Sequence, residues 1–238
     1  MRCSLLLLPF AALVSCSAPT PYSTTVGILK PGATLVVRVA QAPLNVYQPV
    51  TGQRRDLFTI AATGLPKATP PPGPRVRSAP LGVIVSASSP LASLLVRVPD
   101  GVNLVVQSQR GDVNVTDIRG NARVVALHGN VTLMLPGYAQ AAVGQGNLVV
   151  TMGSIDWPGT LRFSTRQGDI ELRIPARAAF GVHLHTDAGT LFTDFALRGT
   201  SQGQSETIDG NVNGASARRV DVETGAGAIR LLRLEPQP

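Results

Sequence analysis

Short segments of apolar–polar alternation recur along this chain, each entered through a glycine. Val113-Asn114-Val115, Val131-Thr132-Leu133, Leu148-Val149-Val150, Ile170-Glu171-Leu172 and Ile229-Arg230-Leu231 place apolar residues two apart, two positions after Gly111, Gly129, Gly146, Gly168 and Gly227. Before each turn the alternation recurs, as in Leu104 to Val106, Val125 to Leu127, Ala141 to Val143, Leu161 to Phe163 and Val220 to Val222. Val220 to Leu231 shows the unit most completely, and Val182 to Leu191, around Gly189, follows its first half. From Gly111 the successive glycine spacings are 18, 17, 22 and 21 residues, then 38 from Gly189 to Gly227, a gap that holds two units or one unit with a long loop.

Period-two alternation gives each strand one buried and one wet face. So short a strand cannot bury its own apolar face, so each unit must stack on its neighbours at ~4.8 Å per layer. The pattern therefore predicts an all-β, single-chain β-solenoid of about six to eight short coils, in which six layers span about 30 Å. A right-handed parallel β-helix is the expected hand. Glycine supplies positive φ at the turn, and Asp112, Asn130, Asn147 or Asp169 behind it is an ordinary turn partner. Outward positions carry Arg38, Arg97, Arg162, Arg173 and Arg230, which aid solubility and discourage edge pairing. Four of them, Arg97, Arg162, Arg173 and Arg230, form a candidate binding face.

Two segments break the rhythm and are expected to be loops: the Pro-rich stretch 67–80, and Asp194 to Ala217, rich in Gly, Ser, Asn and Gln. The first divides an N-terminal strand group, 26–66, from the main solenoid, 81–234. Low aromatic content (4%) with 24 Gly and 19 Pro means that the core is built from Val, Leu, Ile and Ala, as short strands and turns require.

The N-terminus changes the picture from fold to location. Arg2, the apolar run Leu5 to Val14 and then Ser15-Cys16 form a signal peptide over residues 1–15. The run is shorter than the roughly 20 residues of a spanning helix. Leu13-Val14-Ser15-Cys16 resembles the lipobox of bacterial lipoproteins, in which the cysteine becomes the acylated first residue of the mature chain; cleavage nearby, after Ser15 or Ala18, is the alternative. Residues 16–25 would be a tether, and Ser17 after the cysteine resembles the pattern of lipoproteins sorted to the outer membrane. Cys3 and Cys16 are the only cysteines, so a disulfide scaffold and a cysteine metal site are excluded. The mature chain keeps 20 basic against 14 acidic residues, a net +6, suited to anionic envelope polymers or headgroups. Its Arg and Lys are scattered, without the basic run of a nucleic-acid footprint.

Candidate chemistry is sparse. His183 and His185 project from one strand face, with Asp187 nearby, a spacing compatible with two imidazole ligands but without a defined third ligand. His128 beside Gly129 is expected to be structural. Polysaccharide-cleaving solenoids need converging carboxylates, yet the layers between Asp112 and Asp169 carry Asn130 and Asn147, setting the carboxylates about 14 Å apart. Phosphate-binding glycine loops, a dinucleotide fingerprint, a nucleophile elbow and the nine-residue calcium repeat are absent. No cofactor is expected.

Leu95-Val96-Arg97-Val98-Pro99 leading into Val102 to Gly120, the repeated Gly-Asp and Gly-Asn turns, and the closing Thr224 to Leu231 resemble a bacterial adhesin-like domain of unknown function. The resemblance covers about residues 90–234, with the Pro-rich insert and Trp157-Pro158 as departures. It implies a β-solenoid in an envelope context and carries no catalytic residues. The favoured reading is a non-enzymatic, lipid-anchored envelope protein, a binding or structural module for envelope polymers or a partner envelope protein. The alternative is a carbohydrate-active enzyme, a lyase or hydrolase, on the same scaffold.

Overall fold

The computed structural model describes residues 22–48, 56–64, 73–214 and 216–235; the expected signal segment and Cys16 lie outside them. Every regular element described is a strand. The first seven are β1 (Ser23–Ile28), β2 (Thr34–Gln41), β3 (Leu44–Tyr47), β4 (Leu57–Thr63), β5 (Arg75–Ala79), β6 (Gly82–Ala87) and β7 (Ser93–Arg97). The middle of the chain gives β8 (Asn103–Arg110), β9 (Val113–Thr116), β10 (Ala122–His128), β11 (Val131–Leu135), β12 (Ala139–Gln145), β13 (Leu148–Met152), β14 (Thr160–Gln167) and β15 (Ile170–Pro175). The last are β16 (Phe180–Ala188), β17 (Leu191–Thr193), β18 (Gly199–Gln202), β19 (Ser205–Val212), β20 (Arg219–Ala226) and β21 (Ile229–Leu234).

The strands form two facing, largely parallel sheets in a β-solenoid-like arrangement. Sheet I has ten strands in the order β1-β4-β7-β3-β9-β11-β13-β15-β21-β17, and sheet II eleven in the order β18-β19-β16-β20-β14-β12-β10-β8-β2-β6-β5. In each repeat the chain runs along sheet II, turns through the glycine and continues in sheet I. Inward residues stack in straight rows: Val37, Val106, Val124, Ala141 and Phe163 in sheet II, and Val46, Val115, Leu133, Val150 and Leu172 in sheet I. All are buried, and this aliphatic seam is the core. Near the C-terminal end it broadens into an aromatic cluster, with Phe180 5.8 Å from Trp157 and edge-on to Phe195 at 5.7 Å.

The turn between the sheets is tight. A Cβ built on Gly129 would collide with the carbonyl oxygen of Gly111, and the same holds for Gly146 over Gly129, Gly168 over Gly146, Gly227 over Gly168 and Gly189 over Gly227. The row starts on Ala42, whose carbonyl fills the space beside Gly111. Gly146 has φ of 139°, outside the range that side-chain-bearing residues tolerate. Hydroxyls tie down three of these carbonyls: Thr165 donates to Gly146 O (3.3 Å), Thr224 to Gly168 O (3.1 Å) and Thr186 to Gly227 O (3.0 Å).

The alternation pattern locates the middle of the stack, and the ends depart from it. The expected 67–80 loop contains β5, paired antiparallel with β6. The expected loop from Asp194 to Ala217 contains the antiparallel pair β18 and β19. Both sit at sheet ends, where β18 is exposed at every position and β5 has no fully buried residue, so neither carries the apolar alternation that marks an inner strand. β1 begins at Ser23, inside the expected tether, and pairs antiparallel with β4. The N-terminal strands are not a separate group, since β2 lies between β6 and β8, and β3 between β7 and β9. Spatial order also differs from chain order: β20 and β21, last in sequence, lie between β14 and β16 and between β15 and β17.

Gly146→Ala is expected to destabilise the fold by about 3 kcal/mol, because it combines a strained φ with a backbone collision. Gly159 has φ of 67° with nothing within 4 Å of its Cβ position, so Gly159→Ala should cost about 1 kcal/mol. Urea midpoints of the two variants, at equal m-values, measure the difference.

Candidate functional site

Behind four of the turn glycines, the next side chain reaches one layer along the stack. Asp112 Oδ1 accepts from the Asn130 amide (2.8 Å), Asn130 Oδ1 from Asn147 N (3.0 Å), Asn147 Oδ1 from Asp169 N (3.0 Å) and Asp169 Oδ1 from Ala228 N (2.8 Å). These side chains satisfy main-chain donors that the turn leaves outside the strand ladders. Asp112 and Asp169 are three strand steps apart, about 14 Å, each turned toward the neighbouring layer. That spacing does not bring them together as an acid–base pair.

Sheet II presents the longer outer face. One outward row reads Val36, Val105, Arg123, Gln140, Arg162, Asp221 and His183, passing from aliphatic to charged along the stack. Near the turn, His128 Nδ1 lies 3.0 Å from Gln145 Oε1, and Gln145 Nε2 donates to Gln167 Oε1 at 3.1 Å. His128 is thus a member of a polar surface ladder. On the same sheet a groove of about 420 Å³ runs past Arg38, Ala40, Ser86, Gln107 and Leu127. The sequence does not indicate it, because β2, β6 and β8 become neighbours only through the out-of-order stacking at that end.

His183 and His185 both point outward from β16, with rings 6.3 Å apart and nearly parallel. His183 Nδ1 lies 2.7 Å from Asp209 Oδ1. His185 lies 2.9 Å from Thr207 Oγ1 through Nδ1 and 3.0 Å from Asp187 Oδ1 through Nε2. Both nitrogens of His185 are thereby engaged within the protein. Among the described residues no group of three or more His, Cys, Asp and Glu is arranged to hold a metal ion.

The four arginines of the expected binding face do not share a face. Arg162 is on β14 in sheet II, where it approaches Asp221 at 3.7 Å. Arg97 (β7), Arg173 (β15) and Arg230 (β21) are in sheet I, whose outer side looks the opposite way. Arg173 forms an ion pair with Glu171 at 2.5 Å, and Glu171 stands opposite Arg230 in the register. Arg97 is five strand steps from Arg173, about 24 Å. Outward alternation alone cannot tell which of two opposed sheets a residue belongs to, so pattern groups the four and topology separates them.

Residues 97–232 match the model of the Toastrack DUF4097 family. A candidate cell adhesion protein from Clostridium sporogenes ATCC 15579, known from its crystal structure, is 10% identical, with 89% of this chain and 99% of that chain covered and a TM-score of 0.46. A candidate adhesin from Bacteroides fragilis NCTC 9343 is also 10% identical, covering 88% of this chain and 96% of that one with a TM-score of 0.40. No curated protein matches the chain.

If the turn carboxylates serve the backbone, an amide should replace them. Asp169→Asn is expected to change stability by less than about 0.5 kcal/mol, and Asp169→Ala to cost about 1.5 kcal/mol. Chemical denaturation of both variants distinguishes this role from one that needs a titrating carboxylate.

Proposed function

Because the chain belongs to the Toastrack DUF4097 family, we propose that it is a non-enzymatic envelope lipoprotein, held through acylated Cys16 and presenting a rigid scaffold to envelope polymers or to a partner envelope protein. The reading includes a right-handed helix of about six to eight coils and residence at the outer membrane. One observation carries it: the outer side chains stand in straight rows, such as His128-Gln145-Gln167, set by parallel strands in fixed register. A row repeating at ~4.8 Å gives many equivalent weak polar contacts along an extended partner. Converging catalytic groups would need a different geometry, and the turn carboxylates are engaged in hydrogen bonds to the backbone.

Expression of the chain and its Cys16→Ser variant in a bacterial host, followed by intact-mass measurement and membrane fractionation, tests the anchor. The expected result is acyl mass and membrane sedimentation for the wild type only. A soluble, unacylated wild type overturns the lipoprotein reading. Incubation with envelope polysaccharides should give co-sedimentation without new reducing ends or unsaturated products; the appearance of either product would establish the enzymatic alternative.

A further inference from the structure

Charge is distributed unevenly along the stack. Residues 16–99 contain eight Lys and Arg against the single acid Asp56, whereas residues 100–238 contain twelve against thirteen acids. The net positive charge of the mature chain thus belongs to its N-terminal region. The described strands of that region include one physical end of the stack: β1, β4 and β7 close sheet I there, and β5 and β6 close sheet II. Lys30, Arg75 and Arg77 are exposed at this end, and Arg97 is half-buried on β7. Among the described residues the ion pairs of the protein all involve positions from Asp100 onward, so none neutralises this end.

Large apolar side chains are exposed at the same end. Val26 (57%) and Ile28 (61%) project from edge strand β1, and Leu81 (80%) tips the turn between β5 and β6. Val26, Thr59 and Arg97 occupy one outward row, so an apolar and a cationic side chain flank the same threonine. Exposed apolar side chains at the same end as unneutralised cations suit an interface with anionic headgroups above and acyl chains below. A soluble anionic polymer would use the cations but has no use for Val26, Ile28 and Leu81. The position of the anchor agrees: Tyr22 lies six residue steps from Cys16, which at full extension span only about 20 Å before β1 begins.

We propose that the end of the stack formed by β1, β4 and β7 with β5 and β6 is a docking surface for a bilayer of anionic phospholipid, which sets the remaining layers pointing away from the membrane. The orientation rests on the Cys16 anchor proposed above, and the docking surface is testable without it. The probe is the full-length Cys16→Ser chain, which cannot be acylated, sedimented with vesicles of phosphatidylcholine alone or with three-tenths phosphatidylglycerol.

The Cys16→Ser chain should partition onto the anionic vesicles and not the neutral ones, and 0.5 M NaCl should largely release it. Adding Lys30→Glu, Arg75→Glu and Arg77→Glu should lower the partition at least ~10-fold. Arg123→Glu, Arg166→Glu and Arg198→Glu, three equal reversals on exposed residues farther along the stack, should lower it less than ~3-fold. Val26→Ser with Ile28→Ser should weaken it at constant charge. Equal loss from both charge-reversed sets overturns the proposal, as does absence of vesicle binding or binding to dextran sulfate with no preference for anionic vesicles. Far-ultraviolet circular dichroism confirms that each variant is folded, and the intact mass of the wild type decides the anchor separately.

Discussion

At the corner between the two sheets, successive layers approach so closely that the place of a Cβ is occupied by the carbonyl oxygen of the layer before. Five glycines from Gly129 to Gly189 stack directly over one another in this way, with Gly111 resting on Ala42, and the regularity of the fold depends on it. A layer that met its neighbour with a side chain here would have to shift, and the shift would propagate into the register of both sheets. Fixing the corner fixes the row of aliphatic residues on either side of it. The amides freed by the turn are then taken by Asp112, Asn130, Asn147 and Asp169, and the carbonyls by Thr165, Thr224 and Thr186.

Much of this is legible in the sequence, because the constraint is local. A glycine, a short polar residue and an apolar pair two apart identify a layer without reference to any other, as Gly129 to Leu133 and Gly168 to Leu172 show. Residues at the ends carry no such mark. β5 and β18 are recognised by the strands they pair with, and their own residues, Arg75 to Ala79 and Gly199 to Gln202, look like loop. The candidate binding face fails for a related reason. Alternation tells that Arg97, Arg162, Arg173 and Arg230 point outward, and which outward direction is a property of the whole stack.

The surface divides along the stack into regions of different character. The N-terminal end is cationic with exposed aliphatic residues, the middle carries hydrogen-bonded ladders of His and Gln, and the far end pairs Arg162, His183 and His185 with Asp221, Asp209 and Asp187. The backbone is nearly uniform through all three, so the differences rest on outward side chains alone. Such a scaffold can change its surface chemistry at one layer without disturbing the core of another, since the inward and outward rows do not mix.

The position of β20 and β21 has a consequence for how the chain can be assembled and undone. In a solenoid wound strictly in order, the last layer is free to peel away, and the array frays from its end. Here the C-terminal layer is clamped on both sides, by β14 and β15 before it and by β16 and β17 beyond it. Assembly cannot proceed strictly layer by layer along the chain, because the slot for β20 and β21 lies between layers that are both made before them. The same interlock means that removing the layer of β20 and β21 must break both of its interfaces at once.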